Sequence, residues 1–134
     1  MAKIEKFEDL PVWKDAVRIA VRVYELSSHG LLSSDFASKD QIRRSAVSLS
    51  NNIAEGFEYN NNKVFVRFLK YSKGSAGELR SNLLVLKEAK LIEIEDYEIL
   101  RKDLINLSKS LEGFIKYLRK QNEKVTREKV THKD

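Results

Sequence analysis

The sequence predicts an all-α fold, an antiparallel up-down-up-down four-helix bundle. Three observations carry this reading. Apolar residues recur three and four apart over four long stretches, and strand-like alternation is nowhere sustained. Chain breakers are scarce, with five Gly and one Pro in 134 residues. The links between the periodic stretches are short and polar, which sets consecutive helices side by side and antiparallel. With 42% hydrophobic and 34% charged residues, the chain has the apolar content for a packed core.

The first helix is expected over residues 10–28, with Leu10, Trp13, Val17, Ala20 and Tyr24 as its core face. Asp9 is its expected cap, and Pro11 is tolerated in the first turn. Val12, Ile19, Val23 and Leu26 form a second apolar stripe, roughly opposite the first at about 100° per residue. With Val47, Phe57, Val64 and Val66 lying off the other core faces, that stripe is expected to cover an interface between copies of the chain. Gly30 supplies the residue with positive φ after the helix.

Ser38 is expected to open the second helix through the capping box Ser38-Lys39-Asp40-Gln41. Its core face is Ile42, Ala46, Leu49 and Ile53, and Gly56 is the expected stop. An Asn among residues 60–62 caps the third helix, which runs from about Lys63 to Lys90. That helix buries Phe65, Phe68, Ser72, Ser75, Ala76, Leu79, Leu83 and Leu86. Its small middle residues Ser72, Ser75 and Ala76 are expected against the end of the second helix, with Glu78 or Glu55 in a polar network nearby. Gly74 and Gly77 point away from that face. The fourth helix starts near Glu95-Asp96, acids suited to the positive end of the helix dipole. Tyr97, Leu100, Leu104, Leu107, Leu111, Phe114 and Leu118 give it the most regular pattern in the chain. The bundle is expected over residues 1–120, with 121–134 as a flexible polar tail.

The composition excludes several function classes. Without Cys there is no disulfide scaffold and no thiolate metal site. The two histidines, His29 and His132, fall in a predicted loop and in the tail, and no Glu-x-x-His pair exists for a metal site in a bundle. No nucleophile has a base at a recognisable spacing. The expectation is therefore no enzyme, no catalytic residue, no metal and no cofactor. No apolar run approaches the ~20 residues of a membrane span, and no secretory signal is read, so a soluble cytoplasmic protein with no membrane partner is expected.

Charge is more informative. The net charge is +5. Residues 60–90 hold seven basic residues against two acidic ones, whereas residues 91–120 hold six of each. Lys63, Arg67 and Lys70 lie together opposite the apolar face of the third helix, and Lys73, Arg80 and Lys87 form a second stripe at its edge. Lys14, Arg18 and Arg22 add a row on the first helix. Such rows are either solvated helix faces or an anion-binding surface. No aromatic is interleaved with Lys63, Arg67 and Lys70, so phosphate contacts rather than base stacking are expected there.

Two motifs stand out. In Asn52-Ile53-Ala54-Glu55-Gly56, polar Asn52 and Glu55 flank a core position. Their side chains either bond the local backbone or join a network to a neighbouring helix or subunit. Gly74-Ser75-Ala76-Gly77 has the letters of a phosphate clamp but lies inside a helical period, which favours helix packing.

These motifs, with Phe7-Glu8-Asp9-Leu10-Pro11-Val12-Trp13-Lys14, Gln41-Ile42-Arg43-Arg44-Ser45-Ala46-Val47-Ser48 and Gly74-Ser75-Ala76-Gly77-Glu78-Leu79, give a resemblance over residues 7–118. The chain resembles the four-helix-bundle proteins encoded within intervening sequences of bacterial 23S ribosomal RNA genes. The resemblance implies a ring of bundles, a homopentamer, with no catalytic residue. It extends distantly to the accessory protein of diversity-generating retroelements, a basic bundle that binds nucleic acid. The expected function is thus an oligomeric, non-enzymatic bundle that binds RNA or DNA, foremost structured RNA, through Lys63, Arg67, Lys70, Lys73, Arg80 and Lys87. The alternative is an adaptor ring that binds a partner protein.

Overall fold

The computed structural model describes residues 3–133, with side chains described from residue 3 to residue 127. Four long helices carry the fold: α1 (Pro11–Ser27), α2 (Phe36–Glu58), α3 (Asn62–Glu88) and α4 (Ile94–Lys133). Single 3-10 turns at Phe7–Asp9 and Leu31–Ser34 lead into α1 and α2. There is no strand among the described residues. Each helix packs on the next, and α1 packs on α4, which closes the ring around one core. Cross-links between α2 and α3 show them antiparallel: partners on α3 climb from Phe65 through Ser72 to Glu78 as those on α2 fall from Phe57 through Leu49 to Ser45.

The caps explain the boundaries. α2 begins two residues before the expected capping box, because Asp35 accepts from the Ser38 backbone N–H at 3.2 Å. Ser38 is therefore inside the helix, and Asp35 is the cap. Asn61 caps α3 as expected, its side-chain oxygen accepting from the Val64 N–H at 3.1 Å. Gly30 takes φ +63° after α1. α3 closes with two interlocked bonds, Leu91 N–H to Leu86 O at 2.9 Å and Lys90 N–H to Lys87 O at 3.0 Å, with Lys90 at φ +63°. That geometry usually takes glycine.

The core agrees with the sequence on α2 and over most of α3 and α4, where Ile42, Ala46, Leu49, Ile53, Leu79, Leu83, Leu104 and Leu111 are fully buried, but Phe68, Ser75 and Phe114 are only half-buried while Leu69 and Ile115 are core. On α1 the expectation holds at Leu10 and Ala20 and fails at the other three residues of the expected face. Val12, Ala16, Ile19, Ala20 and Val23 are buried, whereas Tyr24 is exposed and Trp13 and Val17 are only half-buried. Of the two competing stripes, the chain buries Val12, Ile19 and Val23, with Leu26 partly buried against the core, and Ala16 and Ala20 beside that stripe are buried with it. The supposed interface stripe of Val12, Ile19 and Val23 is thus core. Val66 is core too, and Phe57 packs against it from within α2, because Gly56 does not end that helix.

α4 continues through Lys133, so residues 121–133 extend the last helix instead of leaving it at residue 120. Side chains from 128 onward, including His132, and residue 134 as a whole lie outside the described residues.

Candidate functional site

The α2–α3 seam is polar at its outer edge and fixed by small side chains. Ser72, fully buried, donates its Oγ hydrogen to the Leu49 carbonyl at 2.9 Å. The Ser48 and Ser75 hydroxyls meet at 2.9 Å, and the Asn52 side-chain amide donates to the Ser48 carbonyl and hydroxyl at 2.9 and 3.0 Å. Ser45 donates to Glu78 at 3.4 Å. Both readings of Asn52 therefore hold at once: it bonds local backbone and, through Ser48, joins α3. The small residues of α3 meet the middle of α2, not its end. Glu78 joins the network, while Glu55 is exposed without a hydrogen bond among the described residues. Ile53 is core, Ala54 half-buried, and Gly56 admits Phe68. Gly74 and Gly77 sit in helix facing open space, so the Gly74–Gly77 letters form no clamp.

The basic candidates divide into two groups. Lys63, Arg67 and Lys70 are exposed on the outer face of α3, with no ion pair among the described residues. Lys73 and Lys87 are engaged at the α3–α4 seam. Lys73 donates to Glu112 at 2.6 Å, while Lys87 lies 3.1 Å from Glu88 and 4.9 Å from the Tyr97 ring centroid. The Lys73 hydrogen bond, then its charge, with Lys116 and Arg119 adding to them, holds the Glu112 carboxyl below its ordinary value against the opposing effect of desolvation. Arg80 is half-buried on the same side of α3 and holds no ion pair among the described residues. On α1, Arg18 pairs with Asp15 and Arg22 lies 3.8 Å from Asp103.

A second basic stripe, missed by counting charge over residues 91–120, lies on α4. The acids of that segment crowd its start, at Glu93, Glu95, Asp96 and Glu98, and from residue 101 to 120 six bases face two acids. Both of those acids, Asp103 and Glu112, are already paired. Lys102, Lys109, Lys116 and Lys120 are all exposed and fall within about 40° of one another, opposite Leu104 and Leu111. Splitting the segment after its first turn reveals the stripe in the sequence. Because Phe65 meets Phe114 and Lys73 meets Glu112, the Lys63–Lys70 face runs alongside the Lys116–Lys120 end of α4.

Aromatic rings edge the same region. Phe68 stacks on Tyr59 and meets Tyr71 edge-on, both at 5.5 Å between centroids. The sequence showed no aromatic among the cations, because Tyr59 arrives from α2 and Tyr71 lies one helical step round from Arg67. No group of His, Cys, Asp and Glu that could hold a metal ion occurs among the described residues. No helix there is long and apolar enough to cross a membrane.

Comparison with known proteins agrees with the fold. A crystal structure of a protein of unknown function from the S23 ribosomal protein family of Bacteroides thetaiotaomicron VPI-5482 is similar over 78% of this chain and 98% of its own, with 27% identity and a TM-score of 0.71. No curated protein matches the chain. The family model described as 23S rRNA-intervening sequence protein matches residues 8–113, nearly the whole bundle, and the chain belongs to that family.

Proposed function

We propose that this bundle binds nucleic acid, foremost structured RNA, through the joined outer faces of α3 and α4, and does so as a non-enzymatic homo-oligomer. One observation carries the reading: Lys63, Arg67 and Lys70 on α3 and Lys109, Lys116 and Lys120 on α4 are exposed cations on adjacent, antiparallel helices, without ion pairs among the described residues. A solvated face normally intersperses acids with its bases, whereas Glu112, the acid between Lys109 and Lys116, is already held by Lys73. Lys73 and Lys87 support the surface from the seam. Repeating it around a ring, which the family resemblance implies is pentameric, would raise affinity through effective concentration.

The test is binding of several RNAs across salt concentrations. Each phosphate neutralised contributes about −0.9 to the slope of log K against log salt on duplex, and about −0.7 on single strands. Charge reversal at Lys63, Arg67 and Lys70, and separately at Lys109, Lys116 and Lys120, should flatten the slope and weaken all sequences alike. Unchanged affinity in both variants overturns the reading.

The adaptor reading has one observation of its own. Leu31 and Phe36 are 68% and 74% exposed at the α1–α2 corner, an apolar surface that suits a partner protein. Purified protein free of nucleic acid by its ultraviolet absorbance ratio, with no RNA binding at low salt, favours that alternative.

A further inference from the structure

Phosphate contacts leave the aromatic cluster at the start of α3 unused. Phe68 is half-buried and roots it, with the Tyr59 ring lying nearly parallel to it at 21°. Tyr59 and Tyr71 present their rings to solvent at 58% and 52% exposure, and neither hydroxyl holds a hydrogen bond among the described residues. Exposed tyrosines held against a half-buried ring are preorganised, so stacking on them costs little further side-chain entropy.

The cations lie beside them. Lys63, Arg67 and Tyr71 follow one another at i, i+4 and i+8 along α3, and Lys70 precedes Tyr71 directly. Glu55 and Glu58 stand near Tyr59 on α2, and the three unpaired cations outnumber them. A ligand suited to this surface offers flat π faces and repeated anions together. An acidic peptide has the charge without the faces, and a duplex keeps its faces stacked inside.

We propose that Tyr59, Phe68 and Tyr71 form a stacking platform for unpaired bases of a single-stranded nucleic-acid segment, whose phosphates lie on Lys63, Arg67 and Lys70. The inference rests on the nucleic-acid reading above and narrows it to unpaired segments. Stacking of this kind tolerates any base, because every base has a π face.

The experiment compares a fluorescein-labelled twelve-nucleotide oligouridine with an RNA duplex of equal length at one salt concentration. The proteins are the wild type, Tyr59→Ala/Tyr71→Ala and Tyr59→Phe/Tyr71→Phe, each also sized by light scattering. The Ala variant should lose at least about fivefold on the single strand and less than about twofold on the duplex, and the Phe variant should retain wild-type affinity. Equal losses on both ligands, or no loss on either, overturn the platform while leaving the nucleic-acid reading intact. An altered oligomeric mass in the Ala variant overturns it in favour of a surface between copies. A wild type that binds neither ligand overturns the nucleic-acid reading itself.

Discussion

Gly56 of α2 lies so close to α3 that a β-carbon there would meet the Phe68 β-carbon at 2.5 Å and the Phe65 ring at 3.1 Å. The first of these atoms is the root of a side chain, which cannot swing aside. Gly56→Ala is therefore expected to destabilise the bundle by about 1–3 kcal/mol, although alanine is the better helix former. Gly74 and Gly77 have open space around their Cα atoms. Gly74→Ala and Gly77→Ala should each stabilise by roughly 0.5–1 kcal/mol. Urea midpoints with unchanged m-values check all three, and a loss at Gly77→Ala would mean that another chain covers this face.

The ends of the helices provide a second test. Asp35→Ala removes the α2 cap and should cost about 1 kcal/mol, whereas Ser38→Ala should cost only a few tenths. Lys90→Gly relieves a left-handed residue at the end of α3 and should stabilise by roughly 0.5–1 kcal/mol. Equal effects at Asp35 and Ser38 would contradict the assigned cap.

Arg43 of α2 holds the end of α1. Its Nε donates to Ser27 Oγ at 2.7 Å, its Nη2 to Ser28 Oγ at 3.1 Å, and its guanidinium covers the Tyr24 ring at 4.5 Å. A planar cation at a helix C-terminus satisfies several acceptors at once and complements the dipole. Arg43→Ala should lower stability by about 1–2 kcal/mol, and Arg43→Lys should recover less than half of it. Thermal unfolding by circular dichroism, with full recovery by Lys as the contrary result, decides this.

Glu112 makes the fold sensitive to acid. Its folded pKa lies below the ordinary 4.5 because Lys73 hydrogen-bonds to it. A depressed carboxyl contributes stability above its unfolded pKa and loses it as pH falls through the folded value. The stability gap between wild type and Glu112→Gln should thus be present at neutral pH, narrow below the ordinary carboxylate range, and shrink with added salt, since both partners are about one-third exposed. A gap independent of pH would show that the ion pair does not contribute.

The helix count, the links, and the core faces of α2, α3 and α4 were legible in the amino-acid sequence. Each of those helices has one dominant apolar stripe, and the hydrophobic effect turns that side inward, with Val66 and Leu69 widening it on α3. The Lys63–Lys70 face was legible for the same reason, as the side opposite such a stripe. α1 was not, because it carries two stripes of similar apolarity. Only the fit against neighbouring helices selects between them, and close packing is a property of partners, not of a single helix. Likewise Gly56 looks like a helix stop until Phe68 is seen filling the space it leaves, and Ser38 looks like a cap until Asp35 reaches its N–H. The α4 cations were present in the sequence but hidden in a neutral total, since acids gathered at the helix start cancel them on paper. In space those acids stand about three turns or more from Lys109, Lys116 and Lys120, and charges separated by more than about a Debye length of 8–10 Å neutralise one another little. The aromatic edge beside Arg67 depended most on tertiary structure, because one of its rings comes from the preceding helix and the antiparallel turn alone brings it there.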